Sequence, residues 1–230
     1  MVPQVAIIRA GGVPLLLGIV RKCTHELETL IQTLGPVPKV WGVPRLTAVF
    51  ASSVATQMSP RSSWGRKRHG KAANWVGEVQ HSKTDRLLQQ AVSALEELAR
   101  YHDDNPPAIT SVRGVGIGGH RSGTGDAAGV AVLFSALKWC SVLAEQYGSR
   151  RHELIQLSIL QCFTNLSTDF EARSQLRASV GLLRQVMQSA EDALDAVAGI
   201  GDAGVAEERH FARAVYMQTY KLIEYLEQNR

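Results

Sequence analysis

The chain has few of the residues that mark disulfide-rich or zinc-binding proteins. Its three cysteines, Cys23, Cys140 and Cys162, are odd in number and lie far apart in apolar stretches. A disulfide framework uses an even set of cysteines in a short chain, and a structural zinc site uses closely spaced pairs. We therefore expect three buried thiols in a reducing compartment, with no disulfide and no metal site.

Long uncharged apolar runs are also missing. No stretch approaches the roughly 18 residues that a membrane-spanning helix requires. The apolar segment near the N-terminus is interrupted by Arg9 and by Gly11 and Gly12, and it lacks the cleavage site of a signal peptide. The sequence therefore predicts no membrane association and a cytoplasmic location, with a nuclear or cytoskeleton-associated one as alternatives.

Net positive charge is confined to one segment, because acids balance the Lys and Arg residues elsewhere in the chain. The net charge of the chain is +4, and residues 60–83 hold six Lys or Arg residues against the single acid Glu78. This segment can contact a polyanion such as RNA, DNA or an acidic cytoskeletal tail, or it can be a solvated loop. Trp64 and Trp75 can stack on bases or attach the loop to the protein surface. The candidate polyanion contacts are Arg61, Arg66, Lys67, Arg68 and Lys71.

A glycine-rich stretch supplies the one motif that suggests a cofactor. Gly114, Gly116 and Gly119 have the G-x-G-x-x-G spacing of dinucleotide-binding loops. Such a loop needs a helix directly after its last glycine and a second strand ending in an acid about 20 residues on. Here the chain continues HRSGTGD, and no second strand pattern follows. We predict a mobile corner and no cofactor, and keep an enzyme using the 114–125 loop as a minor hypothesis.

Catalytic and metal-binding patterns are not found. The seven histidines do not take the H-E-x-x-H spacing or another ligand spacing. His102 precedes two aspartates, and His152 precedes Glu153, both at predicted helix ends, where solvated charged caps are common. The sequence therefore predicts no catalytic residue and no metal ligand.

Helical periodicity is what the sequence does contain. Apolar residues recur at intervals of three and four, as expected for amphipathic helices packed on a core. One such stripe is Leu87 or Leu88, Ala91, Leu95 and Leu98. A second is Ile155, Ile159, Cys162, Phe163 and Leu166, and a third is Phe211, Val215, Leu222 and Leu226. The predicted fold class is all-α.

The order of these helices resembles the armadillo repeats. A short helix turns through small residues into a second helix in IIRAGGVPLLL, and a long third helix carries an alanine and leucine pattern in QQAVSALEELA and CFTNLS. The resemblance implies a right-handed α-solenoid of about three three-helix units with loop insertions. A helical-hairpin solenoid of the HEAT type is the alternative.

The resemblance divides residues 1–230, taken as a single domain, into three units. They are residues 1–102 with an insertion at 34–83, residues 103–168 with a glycine-rich insertion at 114–126, and residues 169–230. The expected helices lie near 3–10, 13–33 and 84–101, near 105–113, 127–147 and 151–167, and near 170–178, 180–197 and 207–227. Because each unit buries its apolar face against its neighbours, the two end units are expected to be capped, to bind a partner, or to self-associate.

The resemblance also implies a function. Third helices of armadillo proteins line a surface that holds protein partners, and in nuclear-import adaptors they carry a W-x-x-x-N pattern. The tryptophan places correspond to Ser93 and Gln161, and the asparagine places to Glu97 and Asn165, so that only Asn165 agrees. We expect a non-enzymatic protein–protein interaction scaffold within a larger assembly, with these four residues as candidate partner contacts. The alternative is a polyanion-binding module using residues 61–71.

Overall fold

The computed structural model describes residues 6–8, 10–34, 83–100, 105–110, 129–147, 150–196 and 203–229. Within these ranges the protein is all-α, with no strand. The helices are α1 (Gly12–Leu34), α2 (Lys83–Arg100), α3 (Asn105–Thr110), α4 (Gly129–Tyr147), α5 (Arg150–Leu166), α6 (Phe170–Ala178), α7 (Val180–Ala196) and α8 (Ala203–Gln228). The predicted fold class is confirmed to this extent. No helix in the described ranges is both long and apolar enough to cross a membrane.

The helix positions agree closely with the periodicity of the sequence. The largest difference is at α8, which was expected to begin near residue 207 and begins at Ala203. The first stripe left Leu87 and Leu88 as alternatives, and the structure buries Leu88 fully while Leu87 is exposed. The three cysteines are free and buried, as predicted.

Glycine forms the corner before α1. Residues 6–8 make a helical turn, and Gly11 takes φ = 77°, a left-handed conformation that side chains disfavour. A Cβ on Gly12 would lie 2.8 Å from the carbonyl oxygen of Ile7, which is too close. The two adjacent glycines are therefore needed for the tight turn into α1.

A second glycine allows α4 to lie close to α3. A Cβ on Gly129 would collide with the carbonyl oxygen of Ile109, the buried residue near the end of α3. The start of α4 consequently presses against the backbone of α3, and only glycine fits there. Gly114, which we expected near a corner between these two helices, lies outside the described residues.

The α5–α6 junction is held by hydrogen bonds from side chains. Asp169 caps α6 by accepting from the backbone N–H of Ala172 at 2.8 Å. Arg173 donates from Nε to the Ser167 carbonyl at 3.1 Å and from Nη2 to the Thr168 carbonyl at 3.2 Å. These bonds satisfy backbone groups that the ends of both helices would otherwise leave unpaired.

The long helices pack in two rows. Extensive contacts join α2 to α5 and α5 to α8 in one row and α1 to α4 in the other, where α4 touches α7 only slightly. Each helix of the first row also packs on a helix of the second, giving the pairs α1–α2, α4–α5 and α7–α8. The short helices α3 and α6 contact one another and lie against both rows. One continuous hydrophobic core runs between the rows.

Burial recurs in register along the first row. Every buried residue of α2 lies 68 positions before a buried residue in α5 or the turn after it, as Leu95 does before Phe163. The α2 residues are Asp85, Leu88, Ala91, Val92, Leu95, Leu98 and Ala99. The buried residues of α8 lie in the same way 60 positions after buried residues of α5; they are Ala212, Val215, Thr219, Leu222, Ile223 and Leu226.

The second row repeats as well. Five buried residues of α1 lie 117 positions before buried residues of α4: Val13, Leu17, Val20, Cys23 and Leu27. A side-chain hydrogen bond recurs at the same separation. Thr24 donates from Oγ1 to the Val20 carbonyl at 2.7 Å, and Ser141 donates from Oγ to the Leu137 carbonyl at 2.8 Å. The agreement therefore includes a polar contact and not only the apolar pattern.

Candidate functional site

A row of side chains faces outward on α2, α5 and α8. The separations of 68 and 60 residues relate four residues of each helix, or of the turn that follows it, to four residues of the next. All twelve are exposed or half-buried. They are Gln90, Ser93, Glu97 and Arg100 on α2; Ser158, Gln161, Asn165 and Thr168 on α5; and Gln218, Lys221, Tyr225 and Gln228 on α8. We call this set the polar face, because eleven of its members are polar or charged and the twelfth is a tyrosine.

The four predicted partner contacts all lie on the polar face. Gln161 and Asn165 are half-buried on α5, one helical turn apart, and Gln161 Nε2 donates to Asn165 Oδ1 at 3.2 Å. Ser93 and Glu97 are the matching residues of α2, the helix packed next to α5. The structure thus brings two of these residues into direct contact and places the other two on the neighbouring helix. Their contact with a partner stays a prediction.

Gln218 was not predicted, although it connects two helices of the polar face. Its Nε2 donates to Gln161 Oε1 at 3.1 Å and to Thr164 Oγ1 at 3.0 Å, which ties α8 to α5. The sequence contains the signal for this position. Val215 and Leu222 follow Ile155 and Cys162 at a separation of 60, and the same separation relates Gln218 to Ser158.

Charged and aromatic groups border the central amides. On α2, Arg100 Nη1 lies 3.3 Å from Glu97 Oε1, and Arg100 Nη2 lies 2.7 Å from Glu96 Oε1. The Arg173 guanidinium of α6 lies 6.0 Å from the centre of the Tyr225 ring of α8, within the range of a cation–π contact. The polar face therefore offers amide donors and acceptors at its centre and charges at its edges, which suits recognition by hydrogen bonds.

His152 does not lie where the sequence suggested. It was expected to be a solvated group at the start of α5, beside Glu153, but His152 is 0% exposed and Glu153 is buried as well. His152 Nε2 lies 3.4 Å from Oδ1 of Asp85, itself 0% exposed, in the first turn of α2. The prediction was wrong because α2 covers this end of α5 and supplies a carboxylate.

The buried thiols are poor nucleophiles in the folded protein. Burial raises the pKa of the Cys162 thiol to about 12, with a smaller contribution from Glu96. Burial, followed by the nearby Asp85 carboxylate, raises the pKa of Cys140, and burial followed by Glu26 raises that of Cys23. A thiol that stays protonated is unreactive, since the thiolate is the attacking species.

These raised pKa values predict a loss of stability in alkali. The unfolded thiol ionises above about pH 9 while the folded thiol keeps its proton, so the stabilisation is complete below pH 9 and is lost as pH rises toward 12. Between these pH values the Cys162 thiol should steepen the fall in unfolding free energy by about 1.4 kcal/mol per pH unit. Urea unfolding of wild type and Cys162→Ala between pH 8 and 11 measures this as a shallower slope in the variant. Parallel slopes would contradict it.

A small cleft opens between the α4–α5 pair and the α7–α8 pair. Its volume is about 20 Å³, room for about one water molecule, and Glu153, Phe211 and Ala212 are among its lining residues. Ala212 on α8 corresponds to His152 on α5 at the separation of 60 residues. Because the alanine side chain is smaller, it leaves space beside Glu153. Gln156 donates from Nε2 to Ser141 Oγ at 2.6 Å across the wall. The cleft is thus a packing difference between two otherwise matching junctions.

Several predicted features lie outside the described residues. These are residues 35–82 of the insertion 34–83, with Arg61, Arg66, Lys67, Arg68 and Lys71, and the glycine-rich insertion 114–126. His102 with its two aspartates also lies there. Polyanion binding and the minor nucleotide hypothesis stay predictions for that reason.

Neither metal-binding groups among the described residues nor related proteins indicate a function. Within the described ranges, no group of three or more His, Cys, Asp or Glu side chains is placed to hold a metal ion. In comparisons with protein-family models, with curated proteins and with solved structures, nothing matches the chain.

Proposed function

We propose that the chain is a short armadillo-like α-solenoid that acts as a non-enzymatic protein–protein interaction scaffold within a larger assembly. The observation that carries the proposal is the recurrence of burial along α2, α5 and α8 at separations of 68 and 60 residues. A repeated register of this kind is expected when each unit packs on its neighbours in the same way. It lines up one outward row from each of three helices, and those rows form the polar face.

The packing order supports the solenoid. Extensive contacts link α2 to α5 and α5 to α8, so that neighbours in the row are also successive long third helices of the proposed units. On this assignment α1 and α2 belong to the first unit, α3 to α5 to the second, and α6 to α8 to the third. The hydrogen bonds of Thr24 and Ser141 then occupy the same place in the second helices of the first two units.

The chemistry of the polar face favours a protein ligand in extended conformation. A peptide backbone presents alternating N–H and C=O groups, and side-chain amides both donate and accept. Asn165 Nδ2 has no acceptor among the described residues and is covered by its surroundings. A turn of the Asn165 side chain toward a bound carbonyl would satisfy this donor, whose unpaired state costs the free chain about 1–3 kcal/mol.

Site-specific photocrosslinking in cells tests the proposal. A photoreactive amino acid at Asn165 should give discrete crosslinked protein bands, and the same residue at Ser93 should capture the same protein. Gln188 is the matched control, because it is an exposed amide on α7 whose Nε2 also bonds one turn along its helix, to Asp192 Oδ1 at 2.9 Å. Mass spectrometry identifies the captured protein.

The proteins captured at Asn165, Ser93 and Gln188 are compared to decide the result. A common partner at Asn165 and Ser93 that is absent at Gln188 supports a binding surface on the third helices. Equal capture at all three positions, or capture at Gln188 alone, would overturn the proposal.

A further inference from the structure

The C-terminal helix exposes residues at positions that are buried in the middle of the array. Arg213 and Tyr220 are exposed and Tyr216 is half-buried, whereas the residues 60 positions earlier, Glu153, Leu160 and Gln156, are all buried. The face of α5 that carries Glu153 and Gln156 borders α8 in the cleft. We call Arg213, Tyr216, Tyr220 and Glu227 the C-end stripe, because they form the face of α8 on which a further helix would pack.

The Tyr rings give the C-end stripe an apolar centre. Tyr216 and Tyr220 stack with their ring centres 6.4 Å apart and their planes at 13°. Tyr220 is 45% exposed, and tyrosine is a residue type that is enriched at protein–protein interfaces. Arg184 Nη2 contacts Glu227 Oε1 at 2.7 Å beside them, while Arg213 remains exposed.

The opposite end of the array shows the complementary pattern. Leu87 on α2 is 49% exposed, but Ile155, 68 positions later, is fully buried. Leu15 on α1 is 64% exposed, whereas Val132, 117 positions later, is buried. Thr84 Oγ1 donates to the exposed Glu26 Oε2 at 2.6 Å, which places α1 and α2 side by side on this end. We call Leu15, Glu26, Thr84 and Leu87 the N-end stripe.

We infer that the C-end stripe of one copy docks on the N-end stripe of a second copy, head to tail. Inside the chain, Asp85 on α2 meets His152 on α5. By the two separations, Arg213 on α8 corresponds to Asp85 on α2, and Thr84 on α2 corresponds to His152 on α5. When a second copy continues the array, Arg213 therefore lies opposite Thr84 and opposite Glu26, which accepts a hydrogen bond from Thr84. The junction between copies thus pairs a cation on the C-end stripe with a carboxylate on the N-end stripe, whereas inside the chain the carboxylate is Asp85 of α2 and its neighbour is His152 of α5.

The apolar groups match in the same arrangement. Tyr216 and Tyr220 of one copy would cover Leu87 of the next, as α2 covers Ile155 on α5 inside the chain. Both halves of this junction are supplied by the one sequence, which is why a second copy is the occupant we infer. Because the two faces differ, the contact is heterologous, and successive copies add into chains. The inference uses only the recurrent register and holds whether or not the polar face binds a partner.

Complementation of two defective ends provides the test. In sedimentation velocity, wild type should form species that lengthen with concentration, and Tyr220→Glu and Leu87→Glu should each be monomeric. An equimolar mixture of the two variants should form a 1:1 dimer. Only the intact C-end of the Leu87→Glu copy can dock on the intact N-end of the Tyr220→Glu copy, so growth stops there.

A control variant and a charge exchange make the outcome specific. Leu154→Glu changes an exposed leucine of α5, in the middle of the array, and should assemble like wild type. Arg213→Glu and Glu26→Arg should each weaken assembly at least about tenfold, and the double variant should recover most of that loss. Circular dichroism and urea midpoints confirm that each variant is folded.

Three outcomes would overturn the inference. Wild type that stays monomeric at about 100 µM would mean that residues 35–82 or another protein cover these faces. Assembly of Leu87→Glu alone would indicate a symmetric contact between two C-end stripes. Failure of the mixture to dimerise, with both variants folded, would exclude head-to-tail docking.

Discussion

Asp85→Ala is expected to lower the free energy of unfolding by about 1–3 kcal/mol. Asp85 and His152 are both fully buried, and His152 Nε2 lies 3.4 Å from Asp85 Oδ1 across the α2–α5 junction. Removing the carboxylate leaves the imidazole in a covered site without this partner, and a buried polar group is costly when its partner is lost. Urea unfolding, compared at constant m-value, measures the change.

A second carboxylate on α2 provides the control for this prediction. Glu97→Ala removes an exposed acid that lies 3.3 Å from Arg100, and we expect it to cost less than about 1 kcal/mol. Asp85→Ala combined with His152→Ala should cost less than the sum of the single changes, because the pair interacts directly. A loss for Asp85→Ala as small as that for Glu97→Ala would contradict the assigned role of the pair.

The Asp85–His152 pair marks a limit of sequence analysis. The sequence places Asp85 in the first turn of α2, where its charge suits the helix dipole, and that position is correct. His152 was wrongly taken for a solvated group, since its position at a helix start gives no information about what packs over it. The partner lies 67 positions away in the sequence, and only the packing of α2 on α5 brings the two together.

The helices themselves follow from local patterns. The stripe Ile155, Ile159, Cys162, Phe163 and Leu166 predicts the buried face of α5, and all five residues are fully buried. The start of α8 was placed four residues late because AGVA contains no apolar spacing, although alanine favours helix. Periodicity thus finds the part of a helix with apolar spacing and misses an end without it.

The polar face was predictable in part. Gln161 and Asn165 came from the resemblance of CFTNLS to a repeat motif, and the structure places them in contact. Gln218, Lys221 and Tyr225 were missed because α8 lacks that motif, although its apolar residues repeat those of α5. The resemblance predicted that the two end units need capping, a partner or self-association, but it did not give the residues of the end stripes, since these depend on comparing the burial of matching residues.

Phe163→Ala is expected to cost about 3–5 kcal/mol, the range observed when a large buried ring is removed. Phe163 is fully buried on α5, and its ring centre lies 4.4 Å from that of Phe134 on α4. Its register partners are Leu95 on α2 and Ile223 on α8, so it stands at the middle of three stacked positions. The cavity left by the ring would therefore open between both rows of helices, where neither neighbour can easily collapse.

Phe170→Ala makes the matched comparison, because it is the same chemical change at a side chain that is 78% exposed at the start of α6. We expect it to change the free energy of unfolding by less than about 0.5 kcal/mol. Phe163→Leu keeps most of the volume and should cost about 1–1.5 kcal/mol. If Phe163→Ala were no more destabilising than Phe170→Ala in urea unfolding, the α4–α5 contact could not be part of the continuous core. The correspondence of buried residues among α2, α5 and α8 would then no longer include Phe163.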